Sequence, residues 1–458
     1  MNNSIIAGQN ALDALIQKGG LNTTLHSLDS VVFKKNHAQA SQAVIQQLGF
    51  EDLVTPGSGT YHFNGRSWKR IEPSTIKQII VKNLLGDFSI SVVNSIYELI
   101  KIQTHREGVV FNAPDKTSVP VENGVLRLKG HEWILEPHSR EDFRTILLPV
   151  VYDPAAKAPT FDRFLDQIFA GTQDAELRKV ALCEALGLSM LATCDYETFY
   201  FLYGLGANGK SVLLKIVVRL LGAENVTAVQ PSDLSNKFQR GHLEGKLANV
   251  VPEIAEGAEI SDADLKALVS GELTTAERKF EPPFEFRPIA THFFASNHLP
   301  HTRDFSPALF RRAIILNFPN VFDGEKRDVK LSEKLEAEIS GILNIALKAA
   351  ADVIMRGGVT MPPSSIEATS QWRLEADQVA QFVEEVAERR SGEEIASADL
   401  FDQYRAWAKE AGILKTLNRK NFSSRLERLG YPLKKGAGGT RMVCGLRLTR
   451  WHSLGRVA

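Results

Sequence analysis

The residues Gly204-Leu205-Gly206-Ala207-Asn208-Gly209-Lys210-Ser211 spell G-x-x-x-x-G-K-S, a spacing suited to wrapping a polyphosphate. Glycines let successive backbone N–H groups turn toward phosphate oxygens, the lysine neutralises β- and γ-phosphate charge, and the hydroxyl is a Mg²⁺ ligand. Gly204, Asn208, Gly209, Lys210 and Ser211 are therefore the candidate nucleotide contacts. Three positions downstream complete a hydrolytic set. Glu253 follows the apolar run 247–251 and Pro252; it is the candidate catalytic base and, with Ser211, a metal ligand. Proline stands where a paired-acid motif has its first carboxylate, and Glu256 is the next acid. Asn297 ends the run 290–295 after Ser296, placed to orient an attacking water or sense the γ-phosphate. Arg311 and Arg312 precede the run 313–318. An arginine delivered to a neighbour's γ-phosphate stabilises charge that develops in the transition state, a role that requires an oligomer.

These side chains need strands that end side by side. Residues 199–203, Phe-Tyr-Phe-Leu-Tyr, read as a buried strand feeding the loop, and residues 212–221 as an apolar helix closed by Gly222, the setting that puts phosphates at a helix N-terminus. Strand-like runs at 247–251, 289–295 and 313–318 alternate with helical ones, which predicts a parallel three-layer α/β core with its ligand at the carboxyl ends of the strands. Between Glu253 and Asn297 a helix ends at Gly271. The residues after it read as a hairpin carrying Arg278, Lys279 and an adjacent aromatic, a combination suited to single-stranded nucleic acid.

The 458 residues imply several domains. Lys plus Arg and Asp plus Glu are equal at 54, so overall charge points to no partner. Residues 401–458 hold 13 Lys and Arg against three acids, a net of +10, and the stretch 375–394 is acidic. The basic end predicts a polyanion partner. Its pattern of three helix-like segments, then the turn 434–441 and a strand over 442–448, is that of a winged helix, with Lys434, Lys435 and Arg441 as DNA contacts. Three scattered cysteines exclude a disulfide framework, and no apolar run reaches the roughly 18 residues of a membrane span. A reducing cytoplasm is expected. Upstream, 61–71 reads as a hairpin turning at Asn64-Gly65, helices continue to about 104, and a turn and strand occupy 123–128. Prolines punctuate 149–159 as a connector, helices fill 161–191, and a helix over 331–356 ends before a boundary at 360–365. Residues 11–16 show weak helical periodicity.

In order and spacing, these motifs resemble the superfamily 3 helicases, in particular the helicase part of phage and plasmid primase-helicases and the related poxvirus protein. Residues 204–211, Glu253, 268–288, 295–300 and 310–312 carry the resemblance, and 61–70, 123–126, 148–154 and the basic end extend it. It implies an AAA+-like P-loop ATPase core over 161–360 with lid helices. Around it stand a helical N-terminal domain over 61–160, a C-terminal winged helix over 375–458, and a segment 1–60 of unknown role. It further implies a homo-oligomeric ring, usually a hexamer, using ATP and Mg²⁺ to pull single-stranded DNA through a pore, with Lys266, Arg278 and Lys279 as DNA contacts and Arg311 or Arg312 as a trans-acting finger. The bearer would be a phage or other mobile element in a bacterial host cytoplasm. The sixty residues ahead of the match are too few for the primase portion of many relatives, and a separate primase or other replication protein is a candidate partner. The alternative is an initiator or loader that binds origin duplex and uses ATP as an assembly switch.

Overall fold

The computed structural model describes residues 36–449, apart from 58, 85–87, 256–257, 280, 303–305, 325–327, 412, 414–415 and 437–438. The periodic segment 11–16 and Glu256 lie outside the described residues. Helices α1 (His37–Leu48), α2 (Pro73–Asn83) and α3 (Ile90–Gln103) bury Val44, Ile45, Ile76, Ile80, Ile96 and Ile100 together. Strands β1 (Leu53–Val54), β2 (Thr60–Phe63) and β3 (Trp68–Ile71) form an antiparallel sheet between α1 and α2. The hairpin at Asn64-Gly65 pairs Phe63 with Trp68, and Asn64 Oδ1 accepts the N–H groups of Arg66 (3.0 Å) and Ser67 (2.9 Å), the Asx geometry that favours Asn in turns. A second sheet, β4 (Ser118–Val121), β5 (Gly124–Lys129) and β6 (Glu132–Glu136), sends Val119, Val121 and Leu126 into the main core. The N-terminal region is thus mixed rather than helical. A boundary at 60 would part β1 from β2, whose Leu53 pairs with His62, and α1 packs with α2 and α3.

The main body begins with α4 (Pro159–Phe169), α5 (Ala175–Ser189), β7 (Phe199–Tyr203) and α6 (Lys210–Leu221). It continues through β8 (Val226–Thr227), α7 (Lys237–Arg240), β9 (Ala248–Val251), α8 (Asp262–Val269) and the hairpin β10 (Thr274–Ala276)–β11 (Phe284–Phe286). Strand β12 (Thr291–Ser296), α9 (Pro307–Phe310), β13 (Ala313–Asn317), α10 (Leu331–Ala337), α11 (Ile339–Arg356) and α12 (Pro363–Ala376) complete it. The sheet runs β13-β7-β12-β9-β8, parallel throughout. Both faces are covered, as a parallel sheet requires: Tyr200 and Leu202 face α4, α5, α6 and α11, whereas Phe199 and Phe201 face α8, α9 and α12.

Two expectations from sequence change here. The helix expected over 331–356 breaks at Glu338, whose carboxylate instead accepts the N–H groups of Thr160 (2.8 Å) and Phe161 (3.1 Å) at the start of α4. Free donors at a helix start attract a carboxylate. The prolines at 362–363 open α12 rather than a linker, since proline suits a first helical turn. Ser365 Oγ accepts the Ile315 N–H at 2.8 Å on the edge strand β13, and Trp372 packs on Phe201 and Phe310 while donating to the Pro300 carbonyl at 2.9 Å.

His292 on β12 is fully buried, with Nδ1 accepting from Asn249 Nδ2 at 3.2 Å. Burial pushes its pKa down from 6.5 to about 4, so the folded ring is neutral while the unfolded ring takes a proton below its ordinary value. Stability contributed by neutral His292 is complete above pH 6.5 and falls toward pH 4, by on the order of 3 kcal/mol. The difference in unfolding free energy between wild type and His292→Phe should shrink across that window in urea titrations; a constant difference would contradict it.

After Asp377 come α13 (Gln378–Val386), β14 (Ala387–Ala396), α14 (Ser397–Glu410), α15 (Arg419–Arg428), β15 (Leu433–Lys435) and β16 (Arg441–Leu448), with β16 central in a three-stranded antiparallel sheet. Phe382, Tyr404, Trp407, Phe422 and Leu426 form a separate core. The acidic stretch runs into β14. Its middle residues are exposed and its register shifts between Arg389 and Glu394, so it carries no apolar alternation. The module is anchored by Asp377, which caps α13 through Val379 and Ala380 and pairs, while buried, with Arg425 of α15. Among the described residues, no helix is long and apolar enough to cross a membrane.

Candidate active site

The loop after β7 is held at both shoulders. Gly204 N–H donates to Ser296 O at 3.3 Å, Phe318 N–H to Tyr203 O at 2.7 Å, and Phe322 N–H to Ala207 O at 2.7 Å. A Cβ on Gly204 would come within 2.6 Å of the Phe318 carbonyl, so the close approach requires glycine. Gly209 starts α6 at φ 92°, and its absent side chain leaves room for Phe164 and Ile168 of α4. Asn208 is buried with its amide bridging the Phe318 carbonyl (3.1 Å) and Lys210 Nζ (3.2 Å). Its side chain therefore holds the loop, which leaves its backbone as the part free for a ligand.

Lys210 is 7% exposed. Nζ donates to the Gly204 carbonyl, to Asn208 Oδ1 and, at 3.4 Å, to Asn297 Oδ1. Burial holds its pKa below the usual lysine value. These partners are neutral oxygens, and an anion delivered to the loop supplies the charge that burial withholds. The chemistry of the donor set fits a polyphosphate. The Asn297 contact arises from strand order: β12 lies between β7 and β9, and Ile254 N–H donates to Ala295 O at 3.2 Å, drawing the ends of β9 and β12 together. Loop residues, Ser211, Glu253 and Asn297 line one cavity of about 1180 Å³ with Arg163, Phe164, Phe322 and Lys334. Among the described residues, no group of three or more His, Cys, Asp or Glu is placed to hold a metal. One hydroxyl and one carboxylate fit Mg²⁺, which keeps waters and takes phosphate oxygens as its other ligands.

Arg311 and Arg312 stand apart from this cavity. They precede β13, and Phe199 N–H at the start of β7 donates to Arg312 O at 2.9 Å, so they lie at the opposite end of the sheet, about 16 Å away along a five-residue strand. Their environments differ. Arg312 is 9% exposed, bonded to Ala308 O (2.7 Å), Ser270 Oγ (2.9 Å) and Glu197 (2.6 Å); the Arg311 side chain is 65% exposed.

The expected hairpin is β10–β11. Arg278 is engaged by Glu244 and lies 4.2 Å from the centre of the Phe284 ring, while Lys279 is exposed. The adjacent Phe280 lies outside the described residues, and Lys266 sits half-buried on α8. The structure thus joins the hairpin to α7, where Lys237 pairs with Glu277 at 3.1 Å and Phe238 is 47% exposed. In the C-terminal module, Lys434 pairs with Glu394, whereas Lys435 and Arg441 are exposed. The α15 helix presents exposed Arg419, Lys420 and Arg428. The sequence does not single out these three, because Arg425, on the same helix, is buried and the basic count alone does not say which face is free.

Three family profiles match the chain in order: "D5 N terminal like" over 53–170, a family of unknown function (DUF5906) over 202–312, and "Poxvirus D5 protein-like" over 374–431. The chain is 25% identical over 266 residues to the "Putative helicase L207/L206" of Acanthamoeba polyphaga mimivirus, covering 51% of this chain and 28% of that protein. It thus spans little more than a quarter of that relative's length. The apo C-terminal region of NrS-1 superposes with a TM-score of 0.53 at 12% identity, over 91% of this chain and all of that one. Sheet and loop define a mixed α/β protein with a P-loop-like core. With D5-like segments on either side of that core, the chain is similar to the superfamily 3 primase-helicases.

Proposed function

We propose that the chain is an ATP-dependent DNA helicase of a phage or other mobile element, acting as an AAA+-like ring in the host cytoplasm. The observation that carries this reading is the meeting of Lys210 with Asn297 in a cavity shared with Glu253, while Arg311 faces away at the other end of the sheet. Lys210 and the loop N–H groups bind the triphosphate, Ser211 and Glu253 hold Mg²⁺, Glu253 takes a proton from the attacking water, and Asn297 orients that water. Arg311 serves the neighbouring subunit's γ-phosphate. Arg312, with both terminal nitrogens occupied at home, is the weaker choice. Lys279 reaches for single-stranded DNA, and α13, α14 and α15 with β14–β16 act as a winged helix on duplex. The relative from mimivirus and the D5 profiles support a role in replication.

The test is strand separation on a forked duplex. ATP, and no non-hydrolysable analogue, should release the labelled strand; hydrolysis without release at any salt concentration would refute the helicase reading. The exposed basic α15 favours a second reading, an initiator or loader on origin duplex, and that protein would assemble with ATP and separate nothing. Arg419→Ala with Lys420→Ala should weaken duplex binding and reduce the magnitude of the log Kd against log[salt] slope by about one per lost phosphate contact. An unchanged slope would remove α15 from the interface.

A further inference from the structure

Two arginines share one carboxylate. Glu197 Oε2 lies 2.6 Å from the Arg312 guanidinium and 3.9 Å from that of Arg311. Both contacts fall on the same oxygen, so the two guanidiniums draw on one carboxylate and its position sets both distances. The loop that carries Glu197 is specified: its backbone is left-handed at φ 47°, uncommon for a residue with a side chain, and its N–H donates to Cys194 O at 3.0 Å. The same Arg312 Nη2 that meets Glu197 also donates to Ser270 Oγ at 2.9 Å, at the end of α8 next to Gly271, where the chain turns at φ 65° toward the β10–β11 hairpin. A cavity of about 360 Å³ is lined by Glu197 on one side and Ser270, Gly271 and Arg287 on the other. Beside it Arg312 links Glu197 to Ser270, and Cys194 Sγ reaches the Pro288 carbonyl at 3.4 Å.

We propose that Glu197 and Arg312 form a positioning seat for Arg311, joining the root of the DNA-facing hairpin to the arginine offered to the next subunit. The inference rests on the reading of Arg311 as a trans-acting finger. When single-stranded DNA displaces the hairpin, Ser270 shifts with α8, the Arg312 guanidinium moves with its hydroxyl partner, and the share of Glu197 left for Arg311 changes. Glu197 touches no nucleotide; it acts through Arg311. DNA binding at the hairpin of one subunit thereby sets the transition-state contact in its neighbour.

The experiment compares ATP turnover with and without an oligothymidylate for the full chain and for Glu197→Gln, Ser270→Ala and Arg311→Ala, with melting temperature and ATP-dependent assembly checked for each. Glu197→Gln should keep its KM for ATP, lower DNA-stimulated kcat about tenfold, and bring the stimulation ratio near one. Mixing Glu197→Gln with Lys210→Ala subunits should restore turnover, since the intact site of one then receives the intact finger of the other. Damage confined to the Glu197→Gln subunit's own nucleotide site would not be restored this way. Wild-type stimulation in Glu197→Gln, alongside an inactive Arg311→Ala, overturns the seat and leaves the finger standing. Wild-type turnover in Arg311→Ala overturns the finger itself. Should Glu197→Gln fail to fold, Ser270→Ala removes one hydrogen bond from the buried guanidinium and carries the same expectation of lost stimulation; full stimulation there overturns the proposal.

Discussion

Lys210→Ala is expected to reduce ATP turnover by about 10³-fold or more, because it removes the positive charge closest to the developing transition-state charge. The structure makes this lysine unusually dependent on its ligand. The residue is 7% exposed and its ammonium is hydrogen-bonded to neutral oxygens of Gly204, Asn208 and Asn297, so burial disfavours the charge until an anion arrives. One pH series reads out both states. The alkaline limb of kcat/KM, which reports the free enzyme, should fall below the ordinary lysine value of 10.5, in line with the downward shift that burial imposes. The limb of kcat, which reports the loaded enzyme, should lie higher, since bound phosphate favours the ammonium. Equal limbs would mean that Lys210 meets no anion. Retained turnover in Lys210→Ala would remove the loop from catalysis.

Lys279→Ala should have the second largest effect, on a different quantity. Turnover without DNA stays within about twofold of wild type while strand separation drops by more than about tenfold, since one exposed cation lost from a stacking and phosphate-tracking loop weakens the grip that converts hydrolysis into motion. The hairpin itself should survive the change. Its base is pinned by Lys237 to Glu277 and by Arg278 to Glu244 and the Phe284 ring, and none of these contacts involves Lys279. Arg278→Ala is the contrasting case, because it frees Glu244 and uncovers the ring, and a fall in thermal stability should accompany any loss of unwinding. Unwinding at the wild-type rate in Lys279→Ala would separate the hairpin from DNA.

Short-range chemistry was legible in the sequence where residue types are forced. The loop needs glycine at 204 and 209 for backbone reasons, and strands covered on both faces appear as unbroken apolar runs such as 199–203. The alternation of strands and helices placed Glu253 and Asn297 at strand ends. Strand order was not legible, and it is what brings Asn297 to Lys210, because β12 enters between β7 and β9 from about forty residues downstream of β9 in sequence. The β14 strand was hidden by its exposed, charged middle, where residues 390–393 lie between the two stretches that pair with β16. The choice between Arg311 and Arg312 could not be read from two identical letters; it depends on Glu197, Ser270 and Ala308, which meet Arg312 only in the folded chain. The prolines at 362–363 misled because the same residue that marks a linker also starts a helix.

The cover that α12 lays over the sheet has a consequence for how copies of this chain can meet. A parallel sheet with a bare edge invites another strand, and strand addition tends toward open-ended, poorly reversible stacks. Here one edge strand, β13, has the Ile315 N–H already taken by the Ser365 hydroxyl, and the other, β8, is two residues long. Neither offers a ladder to extend. A joint between copies at this sheet would therefore rest on side chains and loops, a kind of contact that can part and re-form as ligands come and go.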